Sequence, residues 1–250
     1  ESVSVKFYHS VFKCCYAKNG CAIYLEPSDT NRLFDFYQCS FDNNKNLVYD
    51  AKESQAGGAI YIKSAASCFK FSDCLFSDNA ALDGGAIYYL SEGQSSADMN
   101  NFALQFINCY FCQNGFFNAG GAIHISIKNN KLPRSIDINH CDFISNEDGD
   151  DDPIVDAPEF GGAIYYSYNS QEEGTSSGEF VYCLRVLDCI FIDNKCNSYG
   201  GSICMSVENK EPYKPIEISQ CSLYGNHAST TFYYDEKKVF DGHGVQLVTF

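Results

Sequence analysis

The sequence predicts an all-β fold, a right-handed parallel β-helix with about seven rungs of three short strands, and three observations lead to this class. The string GGAI recurs along the chain. A second pattern, apolar-x-apolar-x-x-Cys-x-Phe-x-x-Asn, precedes nearly every copy. Within both patterns the apolar positions keep a period of two, interrupted by single steps of three.

The two patterns together define a repeated unit. Clean GGAI copies begin at Gly57, Gly84, Gly120 and Gly161, and degenerate copies begin at Gly20, Gly200 and Gly242. The upstream pattern occupies residues 34–44, 69–79, 104–114, 136–146, 184–194 and 216–226. A weaker first copy, VKFYHSVFKCC (5–15), has Ser10 in place of Cys and Cys15 in place of Asn. Seven such units predict a solenoid.

The parity of the apolar positions predicts the shape of one unit. Phe34 and Phe36 are two apart and therefore face the same side of a strand. The step of three from Phe36 to Cys39 predicts a corner, and the step from Phe41 to Asn44 predicts a second one. After a loop, the GGAI strand resumes a period of two. Each unit is thus three strands with their apolar sides turned inward.

Stacked units place equivalent side chains about 4.8 Å apart, so we expect ladders of like residues. The predicted cysteine ladder is Cys39, Cys74, Cys109, Cys141, Cys189 and Cys221. The predicted aromatic ladder is Phe41, Phe76, Phe111, Phe143, Phe191 and Leu223. The predicted aliphatic ladder is Ile23, Ile60, Ile87, Ile123, Ile164, Ile203 and Val245. The predicted asparagine ladder is Asn44, Asn79, Asn114, Asn146, Asn194 and Asn226.

The asparagine and glycine positions have physical roles in this scheme. Stacked amides can donate to the rung on one side and accept from the rung on the other. We also expect the asparagines to tolerate the unusual backbone of a corner. The paired glycines allow the last corner and a close approach of the backbone.

The residue after GGAI is predicted to point outward and to form a surface stripe. Its members are Tyr24, Tyr61, Tyr88, His124 and Tyr165. Such a stripe could stack on sugars or pack against a partner. The alternative is the ordinary preference of aromatic residues for strands.

Enzymatic chemistry is not predicted. The outward position before each ladder cysteine holds Gln38, Asp73, Asn108, His140, Asp188 and Gln220. Its two aspartates lie three rungs apart, about 14 Å, which is too far for a glycosidase pair. The GHG string at 242–244 resembles letters of pectin-degrading β-helices, but it is more simply a degraded GGAI.

Metal binding is also not predicted, although one acidic loop raises the question. Residues 146–159, NEDGDDDPIVDAPE, contain the weak calcium candidates Asp148, Asp150, Asp151 and Asp152. The spacing does not match an EF-hand, and blocks of like charge are usually solvated, so we expect an exposed insertion. No cofactor is expected.

The fourteen cysteines leave the redox state open. The Cys109-x-x-Cys112 pair lacks a second ligand pair, and we interpret Cys109 as a small apolar filler of the ladder. The cysteines at 14, 15, 21, 68, 112, 183, 196 and 204 could pair across loops or stay reduced. Bonds between neighbouring ladder cysteines are geometrically permitted but not required.

The composition excludes several classes of partner. A net charge of −15 opposes binding to nucleic acid or to anionic membranes. No apolar run reaches the ~18 residues needed to span a bilayer, and the first residues do not form a signal peptide. None of the asparagines begins an N-glycosylation sequon.

The paired GGAI and F-x-x-N motifs resemble the passenger domains of the chlamydial polymorphic membrane proteins, and related β-helix surface proteins of protists. The resemblance covers about residues 5 to 248. It implies a non-catalytic structural or adhesive β-helix at the cell surface or outside the cell, which builds length and displays loops. The alternative is a polysaccharide-binding or -degrading β-helix similar to pectin lyases.

This interpretation carries expectations about domains and partners. We expect a single domain over 1–250, as a segment of a longer protein or a repeating unit of an assembly. Rungs begin and end near the termini, so we expect self-association or neighbouring rungs at both ends, with end-to-end filaments as one form. Carbohydrate or a host surface is a further candidate partner of the loops at 91–103, 147–160 and 167–183.

Overall fold

A computed structural model describes ten stretches of the chain: residues 4–27, 32–46, 55–64, 66–92, 102–128, 135–148, 159–170, 184–209, 216–228 and 245–249. These residues form twenty-eight strands, and every pairing between strands is parallel. The strands follow one another in groups of four, and each group is one rung. Seven rungs stack into a parallel β-helix, which confirms the predicted fold.

Sheet A contains the first strand of each rung, which carries the apolar-x-apolar part of the motif. Its strands are β1 (Ser4–Tyr8), β5 (Leu33–Tyr37), β9 (Cys68–Ser72), β13 (Leu104–Ile107), β17 (Ile136–Asn139), β21 (Leu184–Leu187) and β25 (Ile216–Ser219). Burial alternates along these strands, so one side faces the core and the other faces outward.

Sheet B contains the second strand of each rung, with the motif phenylalanine or leucine at its centre. Its strands are β2 (Val11–Lys13), β6 (Ser40–Asp42), β10 (Leu75–Ser77), β14 (Tyr110–Cys112), β18 (Asp142–Ile144), β22 (Ile190–Ile192) and β26 (Ser222–Tyr224). The central residue points inward, and its two neighbours form the outer face.

A short third strand follows the asparagine corner, so a rung has four strands where the apolar parity predicted three. Sheet C comprises β3 (Tyr16–Ala17), β7 (Lys45–Asn46), β11 (Ala80–Asp83), β15 (Gly115–Ala119) and β19 (Glu147–Asp148), and β23 (Lys195–Cys196) pairs with β27 (His227–Ala228). Most of these strands have two residues and one inward side chain, which is too short to show a periodic signal.

Sheet D contains the last strand of each rung, which begins at the isoleucine or valine of the GGAI string. Its strands are β4 (Ile23–Leu25), β8 (Ile60–Lys63), β12 (Ile87–Glu92), β16 (Ile123–Lys128), β20 (Ile164–Ser170), β24 (Ile203–Asn209) and β28 (Val245–Thr249). Val245 pairs with Ile203, so this valine stands in the register of the GGAI isoleucines.

The corners are single residues in the left-handed region. Before each ladder cysteine and its Ser10 equivalent, φ lies between 49° and 57°, at His9, Gln38, Asp73, Asn108, His140, Asp188 and Gln220. Before each ladder asparagine and its Cys15 equivalent, φ is likewise positive, at Cys14, Asn43, Asp78, Gln113, Ser145, Asp193 and Gly225. The expectation that the asparagines themselves adopt the corner backbone is therefore corrected by one position. The preceding residue turns, and the asparagine is left to use its side chain.

The glycine corner explains why the GGAI string has two glycines. Gly84 has a φ of 62°, which disfavours any side chain. At Gly85 a Cβ would lie 2.1 Å from the carbonyl oxygen of Gly121 on the next rung. The first glycine is thus required by the turn and the second by the close stacking of rungs.

Phenylalanine stacks dominate the interior. Phe41, Phe76, Phe111, Phe143 and Phe191 are fully buried. Successive rings along this ladder lie 4.7 to 4.9 Å apart and within 4° of parallel. Phe36 and Phe71 form a second stack at 4.6 Å. The core is therefore continuous along the coil.

Candidate functional site

The asparagine ladder is a hydrogen-bonded chain that runs along the coil. The Nδ2 of Asn79 donates to the Oδ1 of Asn114 at 2.9 Å and to the carbonyl oxygen of Phe41 on the previous rung at 3.0 Å. The backbone N–H of Asn79 also donates to the Oδ1 of Asn114. The same pattern continues through Asn226. These buried amides have a structural role.

The cysteine ladder consists of free thiols that donate to carbonyl oxygens. Cys74 Sγ donates to the carbonyl oxygen of Phe36 at 3.5 Å, and Cys109 Sγ donates to that of Phe71 at 3.5 Å. Burial raises the pKa of Cys109 well above its ordinary value. None of the six ladder cysteines forms a disulfide with another described residue, and Cys183 lies outside the described residues.

The two cysteines of the CxxC pair lie in different environments. Cys109 lies in the core, while Cys112 is half-buried on the outer face of sheet B. Burial also raises the pKa of Cys112, which keeps it protonated. The arrangement agrees with the interpretation of Cys109 as a ladder filler.

The aromatic stripe on the outer side of sheet D is a stack of rings along the coil axis. Tyr24 and Tyr61 lie 5.0 Å apart at an interplanar angle of 2°, and Tyr61 and Tyr88 lie 5.3 Å apart at 15°. His124 then contacts Tyr88 and Tyr165 edge to face at 4.7 and 4.9 Å. Because the tyrosine rings face one another, their faces are covered and mainly their edges point away from the sheet.

The middle of the stripe is buried, which corrects the expectation of a continuous exposed surface. Tyr24 is 50% exposed, whereas Tyr88 is 9% and His124 8% exposed. Burial raises the pKa of Tyr88. At the exposed end, the Tyr24 hydroxyl donates to Glu26 Oε2 at 2.7 Å, which raises the pKa of Tyr24 to about 12.

The cover comes from a second row of side chains that the sequence analysis missed. This row is the residue before each glycine pair, and successive members pair across rungs: Ala56, Asp83, Ala119, Phe160 and Tyr199. Phe160 stacks on Tyr165 and on Tyr199, at 5.2 Å in each case. The position could have been found in the sequence because it precedes every glycine pair. It was missed because its residues differ in size, polarity and charge.

Polar side chains meet where the stripe contacts this second row, at the Asp83 carboxylate. His124 Nδ1 is 3.2 Å from Asp83 Oδ1, and Asn118 Nδ2 donates to the same oxygen at 2.7 Å. The carboxylate thus orients the histidine ring between Tyr88 and Tyr165. The arrangement fixes the stripe at its centre rather than exposing a reactive group.

The outer face of sheet A carries a ladder of alternating charge, which the sequence analysis also missed. In order along the coil it reads Lys6, Asp35, Lys70, Gln105, Asp137, Arg185 and Glu217. Arg185 Nε lies 3.4 Å from Glu217 Oε2, and Arg185 Nη1 lies 4.0 Å from Asp137 Oδ1. Because rungs stack in register, alternation avoids contact between like charges.

The outer face of sheet B is the most apolar exposed surface in the described part of the chain. Five of the nine exposed large apolar side chains lie on it: Val11, Leu75, Tyr110, Ile190 and Tyr224. Two charged residues are paired near its first rungs, where Lys13 contacts Asp42 and Ser77 Oγ donates to Asp42 Oδ1 at 3.0 Å. Asp142, near its centre, has its pKa raised by burial.

The remaining candidates from the sequence fall mostly outside the described residues. Asp148 is the last residue of β19, where it pairs with Phe116, and Asp150, Asp151 and Asp152 lie outside the described residues, as does the GHG string. Within the described stretches, no group of three or more His, Cys, Asp or Glu residues is placed to hold a metal ion. In the same stretches no helix has the length and apolarity needed to cross a membrane.

A comparison with known protein families found a match to part of the chain. The Chlamydia polymorphic membrane protein repeat matches residues 73–89. That segment runs from the corner at Asp73 through Phe76 and Asn79 to the strand that follows Gly84 and Gly85. Neither the curated proteins nor the solved structures gave a match. In this unit, the chain resembles the Chlamydia polymorphic membrane protein repeat, as the GGAI and F-x-x-N motifs predicted.

Proposed function

We propose that the chain is a non-catalytic structural or adhesive β-helix at a cell surface or outside the cell, where it builds length and displays loops. The observation that carries this proposal is the use of the repeated residues. The asparagines, ladder cysteines, phenylalanines and glycine pairs all stack one rung on the next. A motif used in this way specifies a scaffold.

The surface location is supported by the family match. The matched repeat is named for a polymorphic membrane protein of Chlamydia, and it covers the corner and the strand that define one rung. A net charge of −15 is also compatible with a hydrated, surface-exposed coil.

The adhesive role is assigned to the connections between strands. The predicted loops at 91–103, 147–160 and 167–183 interrupt the repeat, and most of their residues lie outside the described stretches. A rigid coil with variable connections is a common way to present recognition loops. We propose carbohydrate or a host cell surface as the partner of these loops.

The alternative function, polysaccharide degradation, has less support. The ring faces of Tyr61 and Tyr88 stack on their neighbours, so they are not open platforms for a sugar. Asp73 and Asp188 lie on the third and sixth rungs, about 14 Å apart at the standard strand spacing. The two catalytic carboxyl groups of a retaining or inverting glycosidase lie closer together than this.

The test combines a catalytic and an adhesive assay on the 250-residue chain. Incubation with polygalacturonate, alginate and other acidic and neutral polysaccharides should release no reducing ends above the buffer control. Beads coated with the chain should attach to a panel of fixed cells or immobilised polysaccharides, and replacement of 93–101 or 171–183 by short Gly-Ser turns should weaken attachment. Release of sugar would overturn the non-catalytic assignment, and attachment that ignores both loops would overturn their role.

A further inference from the structure

Short connections border sheet B on both sides in the interior of the coil. The chain enters and leaves each of its strands through two residues, a corner residue and a ladder residue, as with Asp73 and Cys74 before β10. The outer surface of this sheet is therefore uniform from rung to rung. We define the sheet B face as the outward residues of β10, β14, β18 and β22, together with the corner residues beside them. These strands belong to the third to sixth rungs, and each has a described strand of the same sheet on both sides.

The centre of the sheet B face is a strip of mostly apolar side chains. They stand in two rows along the coil. The first row, in which the apolar members are 37–38% exposed, is Leu75, Tyr110, Asp142 and Ile190. The second row, which is half-buried, is Ser77, Cys112, Ile144 and Ile192. A partner that covered this strip would remove a continuous apolar surface from water, which favours binding.

Carboxylates border this strip and one carboxylate interrupts it. Two corner residues on each side are aspartates, namely Asp73 and Asp188 on one side and Asp78 and Asp193 on the other. With Asp142 they give the face five carboxylates, whereas residues 73–78, 108–113, 140–145 and 188–193 include no Lys or Arg. Among the described residues, none of the five carboxylates forms an ion pair. The strip is therefore surrounded by uncompensated negative charge.

Asp142 indicates which kind of group would complete this surface. It lies between Tyr110 and Ile190 in the first row, and burial raises the pKa of its carboxyl. A lysine or arginine placed over it would compensate the loss of hydration, whereas an apolar group would increase that loss. The position therefore favours a cationic side chain in the middle of an otherwise apolar contact.

The charge also excludes several occupants of the face. Two copies of this chain, docked through the same face, would place five carboxylates against five, and each whole chain has a net charge of −15. Anionic lipid and acidic polysaccharide are repelled for the same reason. A neutral sugar would leave the carboxylates unpaired. The occupant that fits is apolar at its centre and basic along both borders.

The spacing of the rungs favours a helix over an extended strand as this occupant. Four rungs have three intervals of about 4.8 Å, or about 14 Å along the coil. Three turns of an α-helix rise about 16 Å, whereas three steps between same-side residues of a strand rise about 20 Å. A helix parallel to the coil axis thus keeps one side chain close to each rung. Its diameter of about 10 Å also matches the length of a three-residue strand.

We propose that the sheet B face binds an amphipathic α-helix of a partner protein, which lies along the coil with its apolar stripe on the strip and its Lys or Arg residues beside the carboxylates. This inference goes beyond the proposed function, which assigns adhesion to the loops. It gives the scaffold a second binding surface, built from the repeat itself.

The probe for this surface is a synthetic helical peptide of about 18 residues, or five turns. It has leucines three or four residues apart and arginines on both borders of that stripe. Fluorescence anisotropy measures its affinity for the 250-residue chain. One control peptide has the same composition in scrambled order, and the other has glutamine in place of arginine. We expect each control to bind about tenfold more weakly than the probe, because one lacks the apolar stripe and the other lacks the charge.

Matched variants of the chain locate the site. Tyr110→Ser should weaken binding of the probe about tenfold, because it removes an aromatic ring from the centre of the strip. Tyr37→Ser is its control, since Tyr37 is 37% exposed but lies on sheet A. Asp142→Asn should weaken binding about fivefold through loss of the central charge. Asp35→Asn makes the same change in net charge on sheet A and should alter affinity less than about twofold.

Several outcomes would overturn this inference. Absence of binding at the highest soluble concentration of the chain would do so, as would equal affinity of the Tyr110→Ser and Tyr37→Ser variants. A scrambled peptide that bound as tightly as the probe would reduce the effect to net charge and exclude the helix. A glutamine peptide that bound as tightly would exclude the charge complementarity.

Two further measurements keep the result interpretable. Circular dichroism identifies a variant that fails to fold, and Leu75→Ser then repeats the test on another rung with the same expected loss. Replacement of 171–183 by a Gly-Ser turn should weaken attachment to cells or polysaccharides under the proposed function, yet leave the affinity for the probe unchanged. Failure of the loops and failure of the sheet B face are therefore distinguishable.

Discussion

Inside the coil, Phe41, Phe76 and Phe111 stack like on like at 4.9 and 4.7 Å. On the outer face of sheet A, where strands stack with the same spacing between rungs, Asp137, Arg185 and Glu217 alternate in charge. The backbone repeats equally in both regions, so the difference lies in the side chains. Aromatic rings and amides are attracted to copies of themselves, whereas charges repel their copies. A stacked fold can therefore use identity in its interior but requires complementarity on its surface.

The largest expected effect comes from breaking the interior ladder at its middle. Asn114→Ala removes the acceptor of the backbone N–H and Nδ2 of Asn79 and the donor to the carbonyl oxygen of Phe76. With about three buried groups left unsatisfied, the free energy of unfolding should fall by about 4 kcal/mol. Urea denaturation followed by circular dichroism measures it.

A matched variant at the end of the same ladder serves as the control. Asn226 makes the equivalent bonds to Asn194 and to the carbonyl oxygen of Phe191, but it is partly exposed. Because water can replace part of these bonds, Asn226→Ala should lose about 1–2 kcal/mol. Equal losses at the two positions would contradict the view that a continuous buried chain of amides carries the stability.

The next effect concerns the close approach of the glycine pairs. Gly85→Ala would place a Cβ 2.1 Å from Gly121 O and 2.4 Å from Gly115 O, so the rungs must separate. We expect a loss of about 3 kcal/mol in the free energy of unfolding. Gly115→Ala is the control, because its Cβ would lie 3.8 Å from Glu147 O and should change stability by less than about 1 kcal/mol. Thermal denaturation measures both variants. Equal losses of stability would contradict the view that close stacking of the rungs requires the second glycine of the pair.

A smaller effect is expected from breaking the surface alternation. Arg185→Glu places three acids in succession along the ladder, between Asp137 and Glu217. Because Arg185 is more than a third exposed, the loss should be about 1 kcal/mol at low salt and should shrink in molar salt. Arg185→Lys keeps the charge and should change stability little. A loss from Arg185→Glu that is independent of salt would indicate a packing effect and contradict the charge rule.

The smallest effect is a dependence on pH at Asp137. Burial raises the pKa of this carboxyl above its unfolded value, and among the described residues its Oδ1 accepts no hydrogen bond. Its ionisation therefore lowers stability as pH rises from about 4 through the folded-state pKa. Relative to wild type, Asp137→Asn should gain less than about 1 kcal/mol between pH 4 and pH 7. Urea denaturation at both pH values measures this difference, and a relative gain at pH 4 instead would contradict it.

The sequence predicted the interior well because its residues recur with fixed spacing. The cysteine, phenylalanine and asparagine of each unit keep the same spacing, as in Cys74, Phe76 and Asn79. Aligning the units on these residues therefore predicted which strand positions pair between rungs. The two corners were also predictable from the steps of three. Identity of residues between rungs is a strong signal, and it is the signal that a stacked interior produces.

The surface was harder to predict for the same physical reason. The ladder from Lys6 to Glu217 has no shared residue type, so a search for likeness passes over it. The row that includes Asp83 and Phe160 covers the aromatic stripe, yet its members differ in charge and size. The burial of Tyr88 and His124 depends on that row. Complementary positions become visible only when the register is known.

The charge ladder also limits which rungs such a chain can lose during evolution. Gln105 is the one neutral member, and it occupies the fourth rung between Lys70 and Asp137. Since each rung contacts only its two neighbours, loss of that whole unit from the gene would bring Lys70 beside Asp137 and leave every adjacent pair of opposite sign. Loss of the Arg185 unit would instead bring Asp137 beside Glu217. Deletion of some rungs should therefore be tolerated better than deletion of others, and the signs of the charges on the two rungs that become neighbours decide which.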